Sequence, residues 1–167
     1  IIGYFSAEFH NHPVMHLMLD VFKNHNKSEF EIYGFSIGPS KDGWTERVKK
    51  YFDKFIDASN MSDVEIKSLS KKLKLDIAVN LTGLTFNARY SIFFNKLATK
   101  QINYLGYPGT MGTKCFDYII ADKIVIPEEN KKYFSEEVIY LPNCYQANQE
   151  KIEISNKNLN KKDFGLP

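Results

Sequence analysis

Seven apolar runs of four to eight residues alternate along the chain with segments of helical or turn character. They are 1–6 (IIGYFS), 30–37 (FEIYGFSI), 55–58 (FIDA), 75–81 (LDIAVNL), 101–106 (QINYLG), 117–122 (DYIIAD) and 138–141 (VIYL). The run 75–81 is nearly continuous in apolar residues and empties into Thr82, Gly83 and Leu84, the pattern of a strand buried on both faces. Strands alternating with helices argue for βαβ units, hence an α/β, Rossmann-like parallel sheet with helices on both faces.

The helical segments carry their own signals. Pro13 suits a first helical position, and Met15, Leu17, Met18, Leu19, Val21 and Phe22 give the segment behind it a broad apolar face. Residues 44–53 place Trp44, Val48, Tyr51 and Phe52 opposite Glu46, Arg47, Lys49 and Lys50. Ser62 and Glu65 have capping-box spacing and open a helix to about Lys72. Asn87 is the expected cap of a further helix running through Lys96.

The chain has 167 residues, 43% hydrophobic and 25% charged, which excludes a disordered tail and a disulfide-stapled scaffold. The net charge of +2 is too small and too evenly spread to suggest nucleic acid as a partner. No apolar run is long enough for a bilayer, so no membrane partner is expected. The start at Ile1, without a basic and apolar leader, reads as a piece of a longer protein. Cys115 and Cys144 lack close C-x-x-C spacing and are expected as free, semi-buried thiols in a cytoplasmic setting.

Open α/β sheets bind ligands beyond the carboxyl ends of their strands. That rule selects 7–16, 80–87 and 106–113. None contains G-x-G-x-x-G or G-x-x-x-x-G-K-[ST], so phosphate would need another device. His10, His12 and His16 cluster in the first segment. His12 and His16 share a helix face, but no third ligand has metal-site spacing and no metal is expected. His16 is expected to pack or cap and His10 to be solvated. His12 precedes Pro13 at the positive end of a helix, where backbone N–H groups favour an anion and a neutral imidazole. Asn80, Thr82 and Thr85 around Gly83 suit either sugar hydroxyls or a cap, and Gly106 to Gly112 suits either a ligand approach or a tight turn.

Asn11-His12-Pro13 with His16-Leu17-Met18, the run from Asp76 to Thr85 with Ala88-Arg89, Tyr104 to Gly112 and Asp117 to Asp122 resemble the catalytic region of the O-linked N-acetylglucosamine transferase and SPINDLY family. The resemblance continues through Tyr140-Leu141-Pro142 to Phe164-Gly165-Leu166-Pro167. It implies one lobe of a GT-B glycosyltransferase: 1–142 as the amino-terminal lobe, 143–162 as a linker and 163–167 as the start of an absent carboxyl-terminal lobe. It further implies tetratricopeptide repeats in the same chain and acceptor proteins as partners. The nucleotide sugar UDP-GlcNAc is the implied substrate, with neither cofactor nor metal, and transfer inverts the sugar's configuration onto Ser or Thr. His12 is the implied catalytic residue, with Asn11, Pro13, Asn80, Gly83, Thr85, Pro108, Gly109 and Thr110 bordering the substrate. Leu84 stands where many members have histidine or tyrosine, and the absence of an inserted domain after Pro142 resembles bacterial members. Alternatives are a non-catalytic protein-binding module and a GT-B enzyme using GDP-fucose or UDP-glucose. The 167 residues alone are expected to be inactive.

Overall fold

A computed structural model describes residues 1–150 and 156–167. All seven apolar runs are strands: β1 (Ile2–Ser6), β2 (Ile32–Ser36), β3 (Lys54–Asp57), β4 (Ile77–Asn80), β5 (Lys100–Asn103), β6 (Tyr118–Ala121) and β7 (Glu137–Tyr140). They form one sheet in the order β3-β2-β1-β4-β5-β6-β7, and every neighbouring pair is parallel.

Alternation along the strands sorts side chains onto two faces. Ile2 and Tyr4 of β1, Ile32 of β2 and Val79 of β4 pack with the apolar faces of α1 (Pro13–Lys23) and α2 (Gly43–Lys49), contributed by Met15, Met18, Phe22 and Val48. Phe5, Tyr33, Phe35 and Ala78 face the other way, against Ile66 of α3 (Asp63–Lys72) and against Ile92 and Phe93. Phe5 stacks on Phe35 with ring centroids 4.3 Å apart, at the middle of that second layer. The helices therefore cover both faces, as the alternation requires.

Helix starts follow the sequence at Pro13 and Ser62 and depart from it at Asn87. His12 caps α1, and Ser62 with Glu65 forms the expected capping box on α3. Asn87 does not cap a helix, because its φ is +60° and a capping residue is extended. Its segment contains only a 3₁₀ helix, Tyr90–Asn95. Arg89, just before it, is tied across the chain to Asp63, Met61 O and Ala58 O, and Lys96 at φ +51° ends it.

The strip after β7 lies against the sheet edge and α1. Tyr104 Oη donates to Tyr145 O, Tyr145 N donates to Asp122 Oδ2, and the Gln149 side chain donates to His16 O. The expected linker 143–162 thus begins as a packed strip. Its Ile152 and Ile154 lie outside the described residues. A short 3₁₀ helix, Lys161–Phe164, follows. Cys115 is half-buried as expected, whereas Cys144 is exposed because this strip turns it outward. Among the described residues no helix is long and apolar enough to cross a membrane.

Candidate active site

β1 pairs with β2 on one side and β4 on the other, so the chains leaving β1 and β4 diverge to opposite faces and open a crevice at the carboxyl edge. A pocket of about 310 Å³ fills it. Glu8, His10 and His12 line it from the β1 exit, Thr82, Thr85 and Phe86 from the β4 exit, and Gly106 from the β5 exit.

His12 is extended at φ −145°, ψ 146°, and its Nδ1 accepts from Val14 N at 3.3 Å. With Nδ1 turned to the backbone, a neutral ring carries its proton on Nε2. Burial lowers the pKa of His12 below 6.5. Glu8 opposes that shift, and His10 and His16 add to it. The ring is thus a neutral hydrogen-bond donor near pH 7.

The expected backbone anion site at this helix start is not available. Pro13 has no N–H, Val14 N is taken by the His12 ring, and Met15 N and His16 N donate to His12 O. What remains is the helix dipole and the Nε2 proton.

Glu8 is the residue that sequence reasoning missed. It is 6% exposed, yet it lines the pocket. Ser6 Oγ donates to its Oε2 at 2.8 Å and Thr82 Oγ1 donates to the same oxygen at 2.6 Å. Both hydroxyls are themselves oriented, since Ser6 Oγ accepts from Glu8 N and Thr82 Oγ1 accepts from Ala7 N. Thr82, 74 positions along the chain from Glu8, reaches the carboxylate only when β1 and β4 pair. Its place in 7–16, beyond the end of β1, was the available signal.

The other expected residues take varied positions. Asn11 and Pro13 are exposed at the α1 start; Asn11 N donates to Asp42 Oδ2, and its side chain pairs with His16 Nε2 at 2.8 Å. His16 packs on Trp44 as expected, with centroids 4.0 Å apart. His10, expected as solvated, is half-buried because the crevice closes around it. The three histidines do not converge, and among the described residues no group of three or more His, Cys, Asp or Glu could hold a metal.

Asn80 is buried, and its Oδ1 accepts from Thr82 N and Gly83 N, which shapes the β4 exit. Thr85 Oγ1 donates to Thr82 O at the pocket rim. Gly83, at φ +68°, meets the next loop so closely that an added Cβ would lie 2.2 Å from Tyr107 Cβ. A Cβ on Gly106 would lie 1.9 Å from Leu81 O, so the two loops interlock. Pro108, Gly109 and Thr110 lie further along the second loop, outside the pocket lining. The Thr110 hydroxyl donates to buried Glu136 and accepts from Gly112 N and Ser135 N.

This architecture, with an interlocked pair of loops over a switch-point pocket, is that of a Rossmann-like lobe of a GT-B glycosyltransferase. The chain belongs to glycosyl transferase family 41, whose profile matches residues 1–160. It is 35% identical over 99% of its length to the probable UDP-N-acetylglucosamine–peptide N-acetylglucosaminyltransferase SEC of Arabidopsis thaliana, covering 18% of that protein. It is 33% identical over 86% of its length to the UDP-N-acetylglucosamine–peptide N-acetylglucosaminyltransferase of Caenorhabditis elegans, covering 13% of it. Among solved structures, a mutant O-GlcNAc transferase of Thermobaculum terrenum superposes with a TM-score of 0.84 at 28% identity, over 87% of this chain and 28% of that one. The chain therefore spans less than a fifth of the length of these two curated relatives.

Proposed function

We propose that this chain is the amino-terminal catalytic lobe, residues 1–142, of a protein O-glycosyltransferase that moves N-acetylglucosamine from UDP-GlcNAc to Ser and Thr hydroxyls. The single observation that carries the reading is the family match over 1–160 in a chain whose His12 and Glu8 meet at the switch-point pocket. The reaction is an inverting displacement in which the acceptor oxygen attacks the anomeric carbon and UDP departs. Fixed hydrogen-bond donors, the neutral His12 among them, meet the leaving-group charge in place of a divalent ion. Asn11, Pro13, Asn80, Gly83, Thr85, Pro108, Gly109 and Thr110 border the cleft or shape the loops that do.

A carboxyl-terminal lobe closes the cleft from across the pocket, and tetratricopeptide repeats present acceptor proteins. Exposed Leu84, Phe86, Tyr90 and Phe94, on the β4 exit and the turn after it, support such a covering lobe. The free thiols support a cytoplasmic setting.

The test is sugar transfer by the full-length protein that carries this chain. UDP-GlcNAc, UDP-glucose and GDP-fucose are each offered with a host lysate, and modified Ser and Thr are read by mass spectrometry. The expected result is an N-acetylhexosamine increment from UDP-GlcNAc alone, lost in His12→Ala. No increment from any donor by a folded protein refutes the reading in favour of a binding module. An increment from another donor keeps the chemistry and corrects the sugar.

A further inference from the structure

The crevice continues beyond the His12 pocket. A second pocket of about 480 Å³ adjoins it on the β2 and β3 side, lined by Lys41 from the β2 exit, Ser59 and Asn60 from the β3 exit, and Asn87 and Arg89 from the chain after β4. Asn87 lines both pockets, and Ser40 of the first lies between Pro39 and Lys41 of the second. The two are therefore one groove along the carboxyl edge of the sheet.

The lining of this second pocket holds two cations and no acidic side chain. Lys41 pairs with Asp57 and Arg89 with Asp63, but neither carboxylate lines the pocket. Donors are left over. Lys41 Nζ uses one of its three protons on Asp57, and Arg89 uses three of its five N–H groups on Ala58 O, Met61 O and Asp63. The side-chain amides of Asn60 and Asn87 have no hydrogen-bond partner among the described residues. The ion pairs tie loops together, which is a structural role; the two unpartnered amides in the same pocket serve none. Spare N–H donors on two anchored cations match an anion, and a carboxylate or phosphate accepts from several at once.

The sheet sets how far that anion lies from the reacting hydroxyl. The first pocket sits at the seam of β1 and β4, the second at the seam of β2 and β3. In the order β3-β2-β1-β4 these seams are two strand spacings apart, about 10 Å. An extended polypeptide rises ~3.3 Å per residue, so about three residues span the gap. The donor's diphosphate is bonded to the anomeric carbon itself and does not reach a site about 10 Å further on.

We infer that the second pocket is an acceptor subsite for an acidic side chain, a carboxylate or a phosphate, about three residues from the hydroxyl that receives the sugar. The assignment rests on the functional reading above. Lys41 and Arg89 supply charge, and the amides of Asn60 and Asn87 supply neutral donors beside it.

The test uses the full-length protein and a synthetic peptide that carries an acceptor site found in the lysate experiment, with the donor established there. Glutamate, phosphoserine or glutamine is placed two, three or four residues from the acceptor hydroxyl on either side. Glutamate or phosphoserine on one side, most strongly at the third position, is expected to raise kcat/KM about tenfold over glutamine through a lower peptide KM, the worth of one charged hydrogen bond. A gain larger for phosphoserine identifies phosphate as the preferred anion, and a gain larger for glutamate a carboxylate. Asn60→Asp puts a carboxylate into the lining without touching either ion pair, and is expected to abolish the preference. Lys41→Gln is expected to weaken it. Acidic peptides within about threefold of glutamine at every position, or a preference that persists in N60D, overturn the subsite while transfer itself stands. Absence of transfer by the wild-type protein overturns the functional reading, and the subsite with it.

Discussion

Gly83 and Gly112 share nearly the same left-handed backbone, φ +68° and +64°, but only one of them is crowded. Alanine at Gly112 meets nothing within 4 Å, so its cost is the left-handed penalty alone, ~1–2 kcal/mol. Alanine at Gly83 carries that penalty and also sets its Cβ 2.2 Å from Tyr107 Cβ. Carbons pack at ~3.5–4.0 Å, so the two loops must part by roughly 1.3 Å or more. Tyr107 cannot follow freely, because its carbonyl accepts from buried Asn103 Nδ2 at 3.1 Å. Overpacking of this kind adds ~1–3 kcal/mol, for a total of ~2–5 kcal/mol at Gly83. Native-state hydrogen exchange at the amides of β4 and β5 reads this sheet separately from the rest of a larger protein. Equal loss of protection in Gly83→Ala and Gly112→Ala would refute the interlock.

Stability should fall with acid in two stages. His12 and His25 have lowered pKa values, chiefly from burial. The unfolded chain therefore takes up their protons first, and stability, full above pH 6.5, declines as pH falls below it. Asp57, held down to about 2 mainly by Lys41 and Ser59, and Asp122, held down by backbone donors, contribute a second loss below pH 3.8. His25→Gln, which removes the group paired with Tyr4 Oη, should flatten only the first stage of a denaturation-versus-pH series. Asp122 accepts from Ile124 N, Val125 N and Tyr145 N, so Asp122→Ala should release the strip 143–150. Limited proteolysis should then cut there faster, with the sheet intact.

The legible parts of the fold were those with local causes. Each strand announced itself by apolar residues at strand length, and Ser62 with Glu65 marked a cap within four residues of chain. The 3₁₀ segment misled because its cause is distant. Asn87 has a capping side chain, but Arg89 is anchored to the start of α3, and Tyr90, Ile92, Phe93 and Phe94 are weak helix formers. In the site, His12 was legible from Pro13 beside it. Glu8 was not, because one of its two side-chain partners, Thr82, comes from across the sheet, and nothing in the letters 7–10 (AEFH) separates it from a solvated glutamate. Glu136 escaped for the same reason: it stabilises the second loop through Thr110 and Met111 N from the position just before the seventh strand.

Placing β1 between β2 and β4 also sets an order in time. Of these seven strands β1 leaves the ribosome first and pairs early with β2, but its other edge waits until β4 has emerged, and distant parallel pairings of this sort form slowly. Until that seam zips shut, Ala7 N and Glu8 lack Thr82, and the crevice does not exist. Two half-sheets, β1 to β3 and β4 to β7, thus meet along the line where the pocket sits. Formation of the pocket becomes a late clock of assembly, switched on by the same closure that removes the last raw inner edges capable of recruiting a neighbouring chain.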